Sequence, residues 1–147
     1  HATIKDFLGF PRILLEESTV AGLDYRLVLA IAFKESEMNP RAVSPKGAIG
    51  LLQIMPQTGA IIAKNLGIPD YLPPTKHDLG SLGDPKVNVR IGIAYFKDQI
   101  TAFKAPTPAL KAYNRGPSRV KEHWPRDRYV SDIALHFLEA QHALPIR

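Results

Sequence analysis

Residues 31–59 read IAFKESEMNPRAVSPKGAIGLLQIMPQTG. The stretch joins the end of an apolar helix to one acidic residue, a turn rich in Pro and Gly, and a second apolar run. Asp24 is a natural N-cap for the helix that leads into it. Leu27, Ile31 and Glu35 recur at i, i+4 and i+8 and share one stripe, with Val28 and Ala32 beside it. Leu29, Ala30 and Phe33 fill much of the remaining surface, which only Arg26 and Lys34 interrupt. A helix apolar nearly all round belongs in a core. Asn39-Pro40 stops it, because a residue before proline is pushed out of helical geometry. The chain is thus organised to hold Glu35 where a buried stripe ends.

A carboxyl group placed there is partly desolvated, which disfavours its charged form and raises its pKa. If it is still protonated near neutral pH, it can act as a general acid. The plainer reading is an ordinary helix-end acid, solvated or paired with Lys34 or Arg41. Beyond the helix, Ser44-Pro45-Lys46-Gly47 reads as a tight turn, in which Ser44 serves as turn-former or cap. Gln53 is the only polar side chain between Leu51 and Met55. A buried Gln needs partners for both its oxygen and its NH2, from local backbone or from a ligand in a cleft.

Outside this stretch, helices are expected over residues 1–22 in two pieces broken near Gly9-Phe10-Pro11, the second carrying Ile13, Leu14, Leu15 and Val20. Pro56 to Leu66 follows, with Ile61, Ile62 and Leu66 as its core face and Gly67 as C-cap. Residues 68–84 form a long irregular connection, a cleft wall or a lid, whose prolines and glycines exclude regular elements. Asp84 and Pro85 open an amphipathic helix to Phe103, with Val89, Ile93, Phe96 and Ile100 inward. Gly92 in its middle costs about 1 kcal/mol against Ala, which points to close approach of another backbone. Tyr95 there suits core or cleft. Thr107 and Pro108 start the next helix, which ends at Tyr113-Asn114 before Gly116-Pro117. Ser118 to Trp124 is a short helix or turn. Asp127 to Ala143 is the last helix, with Tyr129, Ile133, Leu135, Phe137 and Leu138 available to the core. The fold class is mainly α, around a central buried helix, with little or no β-sheet.

The 147 residues, 45% hydrophobic and 22% charged, suit one soluble domain with a real core. No apolar run approaches the ~20 residues needed to cross a bilayer, so no stable membrane insertion is expected. Cysteine is absent, which excludes a disulfide framework, a thiolate metal site and a cysteine nucleophile. The net charge of +5 favours polyanions. Its cations are scattered except for Arg115, Arg119, Lys121, Arg126 and Arg128, and no aromatic-interleaved motif accompanies them, so nucleic-acid binding is not expected. His77-Asp78 lacks the further ligand spacing of a metal site, and no metal is expected.

Three ordered motifs carry a resemblance. Glu35-Ser36, Pro40, Ala42, Ser44, Gly47-Ala48, Gly50-Leu51, Gln53, Pro56 and Thr58 resemble the signature E-S-x-x-x-P-x-A-x-S-x-x-G-A-x-G-L-M-Q-x-x-P-x-T of the family 1 lytic transglycosylases, the SLT domain. Leu52 stands where that family usually has Met, and Gly59 where Ala is common. Asn88-Val89, Gly92 and Tyr95 resemble its N-V-x-x-G-x-x-Y-L segment. Ala112-Tyr113-Asn114-Arg115-Gly116-Pro117 resembles its A-Y-N-A-G-P, with Arg115 replacing Ala. Tyr129-Val130 matches the end of an E-T-x-x-Y-V pattern, but Pro125-Arg126 stands where the acidic-Thr pair would be.

The resemblance covers roughly Asp24 to Ala140 and implies a lysozyme-like helical domain, so residues 1–147 are read as one such domain with residues 1–22 as a helical segment packing on it. It implies cleavage of the N-acetylmuramic acid–N-acetylglucosamine bond of peptidoglycan, with Glu35 as the catalytic acid and then base. Cleaving a glycosidic bond ordinarily takes two carboxyl groups, unless the substrate supplies the nucleophile. Here the muramoyl N-acetyl group would stabilise the developing cation and the C6 hydroxyl of the same sugar would close on C1. The product would be a 1,6-anhydromuramoyl end, formed with no metal or organic cofactor. Ser44, Gln53, Tyr113, Asn114 and Tyr129 are the implied substrate-binding residues, with Ser44 beside the N-acetyl group and Tyr113 next to the catalytic acid. A Tyr113 hydroxyl close to Glu35 would orient its carboxyl group. Glu37, about 200° around the helix, would point elsewhere if the helix continues, and Asp127 is a distant candidate for a second carboxylate.

A goose-type lysozyme, using water as nucleophile, and a wall-binding or secretion-apparatus module without turnover are the competing readings. The expected partner is the glycan strand, the chain a monomer, and the location periplasmic or otherwise facing the wall. His1 would then begin a processed chain or an excised domain, since no export signal is visible. A short chain of this kind would suit a secretion, conjugation or phage assembly.

Overall fold

The computed structural model describes residues 12–116 and 128–143. Six α-helices lie in that span: α1 (Arg12–Ala21), α2 (Tyr25–Ser36), α3 (Pro56–Leu66), α4 (Pro85–Phe103), α5 (Pro106–Arg115) and α6 (Arg128–Ala143). A 3-10 turn covers Gly80–Gly83. Extended pairing among the described residues is limited to isolated bridges of Ile49 with Val43 and with Ile54. The expected mainly α fold is the observed one. None of the described helices is long and apolar enough to cross a membrane. The expected first helical piece, the Ser118–Trp124 turn, Arg119, Lys121, Pro125-Arg126 and Asp127 lie outside the described residues.

The core is built around α2. Asp24 caps it by accepting from the Arg26 N–H at 2.9 Å, and its carboxylate also holds the Arg26 guanidinium at 2.7 Å. That pair lets Arg26 sit buried, with its guanidinium over the Phe137 ring. Val28, Leu29, Ala30, Ile31, Ala32 and Phe33 are all buried. On one side α2 packs against α6 and α1. On another, Val28 and Ile31 meet Leu52 and the Gly92, Ile93 and Phe96 face of α4.

Several expectations need correcting. The Glu35 helix ends at Ser36, three residues before Asn39-Pro40: Glu37 (φ 50°) and Met38 (φ 67°) are both left-handed, and the Glu37 N–H closes the helix on the Phe33 carbonyl. The buried face of α3 is Gly59, Ile62 and Ala63, while Ile61 and Leu66 are exposed. Helix α5 starts at Pro106 after Ala105, so Thr107 is inside the first turn and no side chain caps it. Leu15, Val20, Leu135 and Leu138 point outward. In each helix the period was right and the phase was set by neighbours that sequence spacing does not name. The close approach at Gly92 is to a side chain, not a backbone: a Cβ there would stand 2.8 Å from Leu52 Cβ.

Candidate active site

The end of α2 opens onto a cavity of about 640 Å³. Glu35 lines it, together with Ser44, Gln53, Tyr113 and Asn114, which come from the loop after α2 and the end of α5. Lys46, Thr58, Tyr95 and Arg115 complete its polar wall. Tyr129 is not in that lining but reaches Glu35 from α6, donating its hydroxyl to Oε2 at 2.7 Å. Thus five of the six residues singled out from sequence share one cavity, and the sixth bonds the acid from behind. Residues 68–84 do not line the cavity among the described residues. They fold back on themselves through Ser81 and Leu72.

Glu35 is half-buried. Burial pushes its carboxyl group up to about 7, against the pull of the Tyr129 hydrogen bond and the Lys34 charge. It is the only carboxyl group among the described residues lining the cavity. Glu37 leaves the helix and is exposed.

Tyr113 differs from expectation. Its hydroxyl donates to the Leu52 carbonyl at 2.7 Å, and the tyrosine that orients Glu35 is Tyr129. Burial holds the Tyr113 phenol well above its usual range, with the Glu35 and Tyr95 charges acting in the same direction, so it stays a neutral donor. Its ring lies 5.4 Å from that of Tyr95 and meets Phe96 edge-on.

The floor of the cavity is largely irregular backbone, residues 42–54, whose polar groups are met partly by one another, as between Ile49 and Ile54, and partly by side chains. Ser44 Oγ accepts from the Ala48 N–H at 3.0 Å, and the Ser44 carbonyl accepts from the Gly47 N–H to close the Ser44–Gly47 turn. Gln53 takes a left-handed backbone (φ 51°) and donates from Nε2 to the carbonyls of Ala42 and Gly50. Both residues therefore fill the local backbone role that sequence allowed them while facing the cavity. Ser36 Oγ, on the last turn of α2, lies 2.9 Å from the Leu51 carbonyl.

Asn88, which the sequence shows only as part of a motif and without a role, fastens this floor to α4. Asn88 of α4 is fully buried. Its Oδ1 accepts from the Leu52 N–H, and its Nδ2 donates to the carbonyls of Ile49 and Leu82. Gly50 (φ 82°) lies against it, and a Cβ there would stand 2.3 Å from Asn88 Nδ2. An Asn inside an apolar helix face, next to Val89, was the available signal. Among the described residues no three His, Asp or Glu side chains gather as a metal site would require.

Residues 13–136 match the model of the Transglycosylase SLT domain. Over 94 residues, 63% of this chain and 14% of the relative, the sequence is 43% identical to the soluble lytic murein transglycosylase of Salmonella typhimurium. Over 97 residues, 66% of this chain and 31% of the relative, it is 34% identical to the transglycosylase of Enterobacteria phage PRD1. The fold resembles that of an inactive mutant of the lytic transglycosylase Slt from Pseudomonas aeruginosa, with a TM-score of 0.77 and 28% identity over 93% of this chain and 24% of that one. It also resembles the 70-kDa soluble lytic transglycosylase in complex with bulgecin A (TM-score 0.66, 28% identity, 90% of this chain and 21% of that one). The chain thus spans less than a third of the length of each of these curated relatives.

Proposed function

The chain belongs to the transglycosylase SLT domain family, and from that premise we propose that it is a lytic transglycosylase of peptidoglycan. Glu35 protonates the oxygen between N-acetylmuramic acid and N-acetylglucosamine. The substrate's N-acetyl group stabilises the developing cation. Glu35, now a carboxylate, takes the proton of the C6 hydroxyl as that oxygen bonds to C1. The result is a 1,6-anhydromuramoyl end without net uptake of water.

One observation carries this reading: a carboxyl group raised to about 7 stands as the only one among the described lining residues of a sugar-sized cavity. An acid of that strength gives and retakes a proton near neutral pH. A hydrolase with two carboxylates would need a second one opposite, and the substrate-assisted route does not. Ser44, Gln53, Tyr113 and Asn114 then bind the glycan along the floor and the α5 side. Tyr129 acts through Glu35. We read the chain as one catalytic domain acting on glycan strands at the wall, in the periplasm or wherever a phage or secretion machine opens it. The PRD1 relative supports the latter setting.

The test is incubation with purified peptidoglycan and mass spectrometry of the released muropeptides, alongside Glu35→Gln. Anhydro products that vanish in the variant are expected. Reducing-end products, heavier by one water, would make the protein a lysozyme. Sedimentation with the wall and no release would make it a binding module. Bulgecin A, bound by one relative, is expected to protect the domain against thermal unfolding.

A further inference from the structure

Lys34 and Glu35 are neighbours at the end of α2, and each reaches α6. Lys34 Nζ lies 2.6 Å from Asp132 Oδ2, and Tyr129 donates to Glu35 at 2.7 Å. Tyr129 and Asp132 are three apart on α6, so they share one face of it. The two helices are thus joined by paired clasps, one carrying the acid and the other the cation beside it. The Lys34–Asp132 pair is partly exposed on both sides, and such pairs contribute little to stability. Its place next to the acid gives it another use.

We propose that Asp132 is a positioning residue for Glu35: it ties Lys34 to α6, keeping the ammonium off the carboxyl group and the Tyr129 hydroxyl on it. Released from Asp132, the Lys34 side chain is long enough to turn toward the carboxyl group of its neighbour, where it would stabilise the ionised form. Among the described residues, the groups facing the pair lie on α6, α5 and α4. On α6, Arg128 and His136 face Asp132, and Glu139 lies 4.0 Å from His136. Burial keeps the His136 imidazole below its ordinary pKa, so among the described residues Lys34 and Arg128 are the cations facing Asp132 near neutral pH. On the cavity side, Tyr113 of α5 faces Glu35 and Tyr95 of α4 faces Tyr113, both as neutral phenols, and Lys46 and Arg115 share the lining.

The inference rests on the acid role given to Glu35, but its test does not need turnover. The Glu35 carboxyl carbon is followed by NMR through a pH titration in the wild-type chain, Asp132→Asn, Lys34→Gln and the double variant, with the pH profile of muropeptide release measured beside it. Asp132→Asn is expected to lower the Glu35 titration by about half a pH unit, the scale of one charge moved a few ångströms. Lys34→Gln, which removes an ammonium already held off, is expected to raise it by less, and the double variant to follow Lys34→Gln. A titration that stays put or rises in Asp132→Asn overturns the proposal, whatever happens to the melting temperature. If Asp132→Asn does not fold, Asp132→Ser decides in its place: a lowered titration supports the proposal, and an unmoved or raised one overturns it. Wild-type protein that releases no muropeptides while the titrations move as expected would sink the enzyme and leave the clasp standing.

Discussion

Tyr129 bonds Glu35 across 94 residues of chain, and this contact ties the last helix to the acid. The bond pulls the carboxyl group down while burial pushes it up. Tyr129→Phe should therefore raise the Glu35 pKa further and move the alkaline limb of the pH–rate profile upward. It should also slow turnover about tenfold, because the carboxylate formed after proton donation loses a charge-assisted hydrogen bond. A pH–rate profile on peptidoglycan checks both.

Glu35 should destabilise the fold above neutrality. Its folded pKa of about 7 exceeds the 4.5 of a free side chain, so the folded state holds the proton more tightly. The stability this gives is fully present below about pH 4.5 and is lost as the pH rises through 7. Glu35→Gln is expected to match the wild type near pH ~4 and to exceed it by up to ~3 kcal/mol near pH ~8. Urea denaturation at the two pH values checks it.

Asn88 satisfies three backbone groups of the floor and its surroundings. Asn88→Ala takes this partner from the Leu52 N–H and the Leu82 carbonyl, while the Ile49 carbonyl keeps the Ile54 N–H, and should cost about 2 kcal/mol or more. Asn88→Asp keeps the Leu52 N–H partner but sets a carboxylate against two carbonyls, so it should be no better. Thermal melts of both variants test this, and a loss below about 1 kcal/mol would contradict it.

Gly92→Ala drives a methyl group into Leu52, the residue whose carbonyl holds Tyr113. A cost of about 1–3 kcal/mol is expected from overpacking, with a fall in activity as the floor shifts. Adding Leu52→Ala should restore much of the Tyr113 geometry, measurable as recovered turnover per folded molecule.

Lys46 and Arg115 give the lining two cations against one largely uncharged acid. Neutralising both should weaken binding to sacculi several-fold at low salt and little at high salt, because such attraction is screened. Sedimentation with sacculi across a salt series measures it.

The fold was legible wherever one residue type could act alone. Asp24 and Asp84 cap, Pro85 opens α4, and Gly67 closes α3. The buried stripe of α2 was plain because almost nothing polar interrupts it. Outward or inward phase was not legible for Ile61 or Leu135, where the facing element decides. In the site, the motifs led to Glu35, Ser44, Gln53, Tyr113 and Asn114 in one cavity. What they could not give was pairing. Which tyrosine reaches the acid depends on how α5 and α6 flank α2, and the answer was Tyr129, not Tyr113. The Lys34–Asp132 contact, 98 residues apart, leaves no local trace at all.

The floor under the cavity pairs with itself only through isolated bridges, and it is fastened to the core by an Asn side chain from a helix thirty-six residues away. Helices α2 and α4 can form from local contacts, and residues 49 and 50 bond Ile54 and Ala42 nearby, but the Leu52 N–H meets its partner only once α4 has docked. The cleft should then be among the last parts of the molecule to fold and, once formed, unusually slow to open. The Leu52 amide, in a loop by secondary structure, should exchange its hydrogen on the timescale of global unfolding.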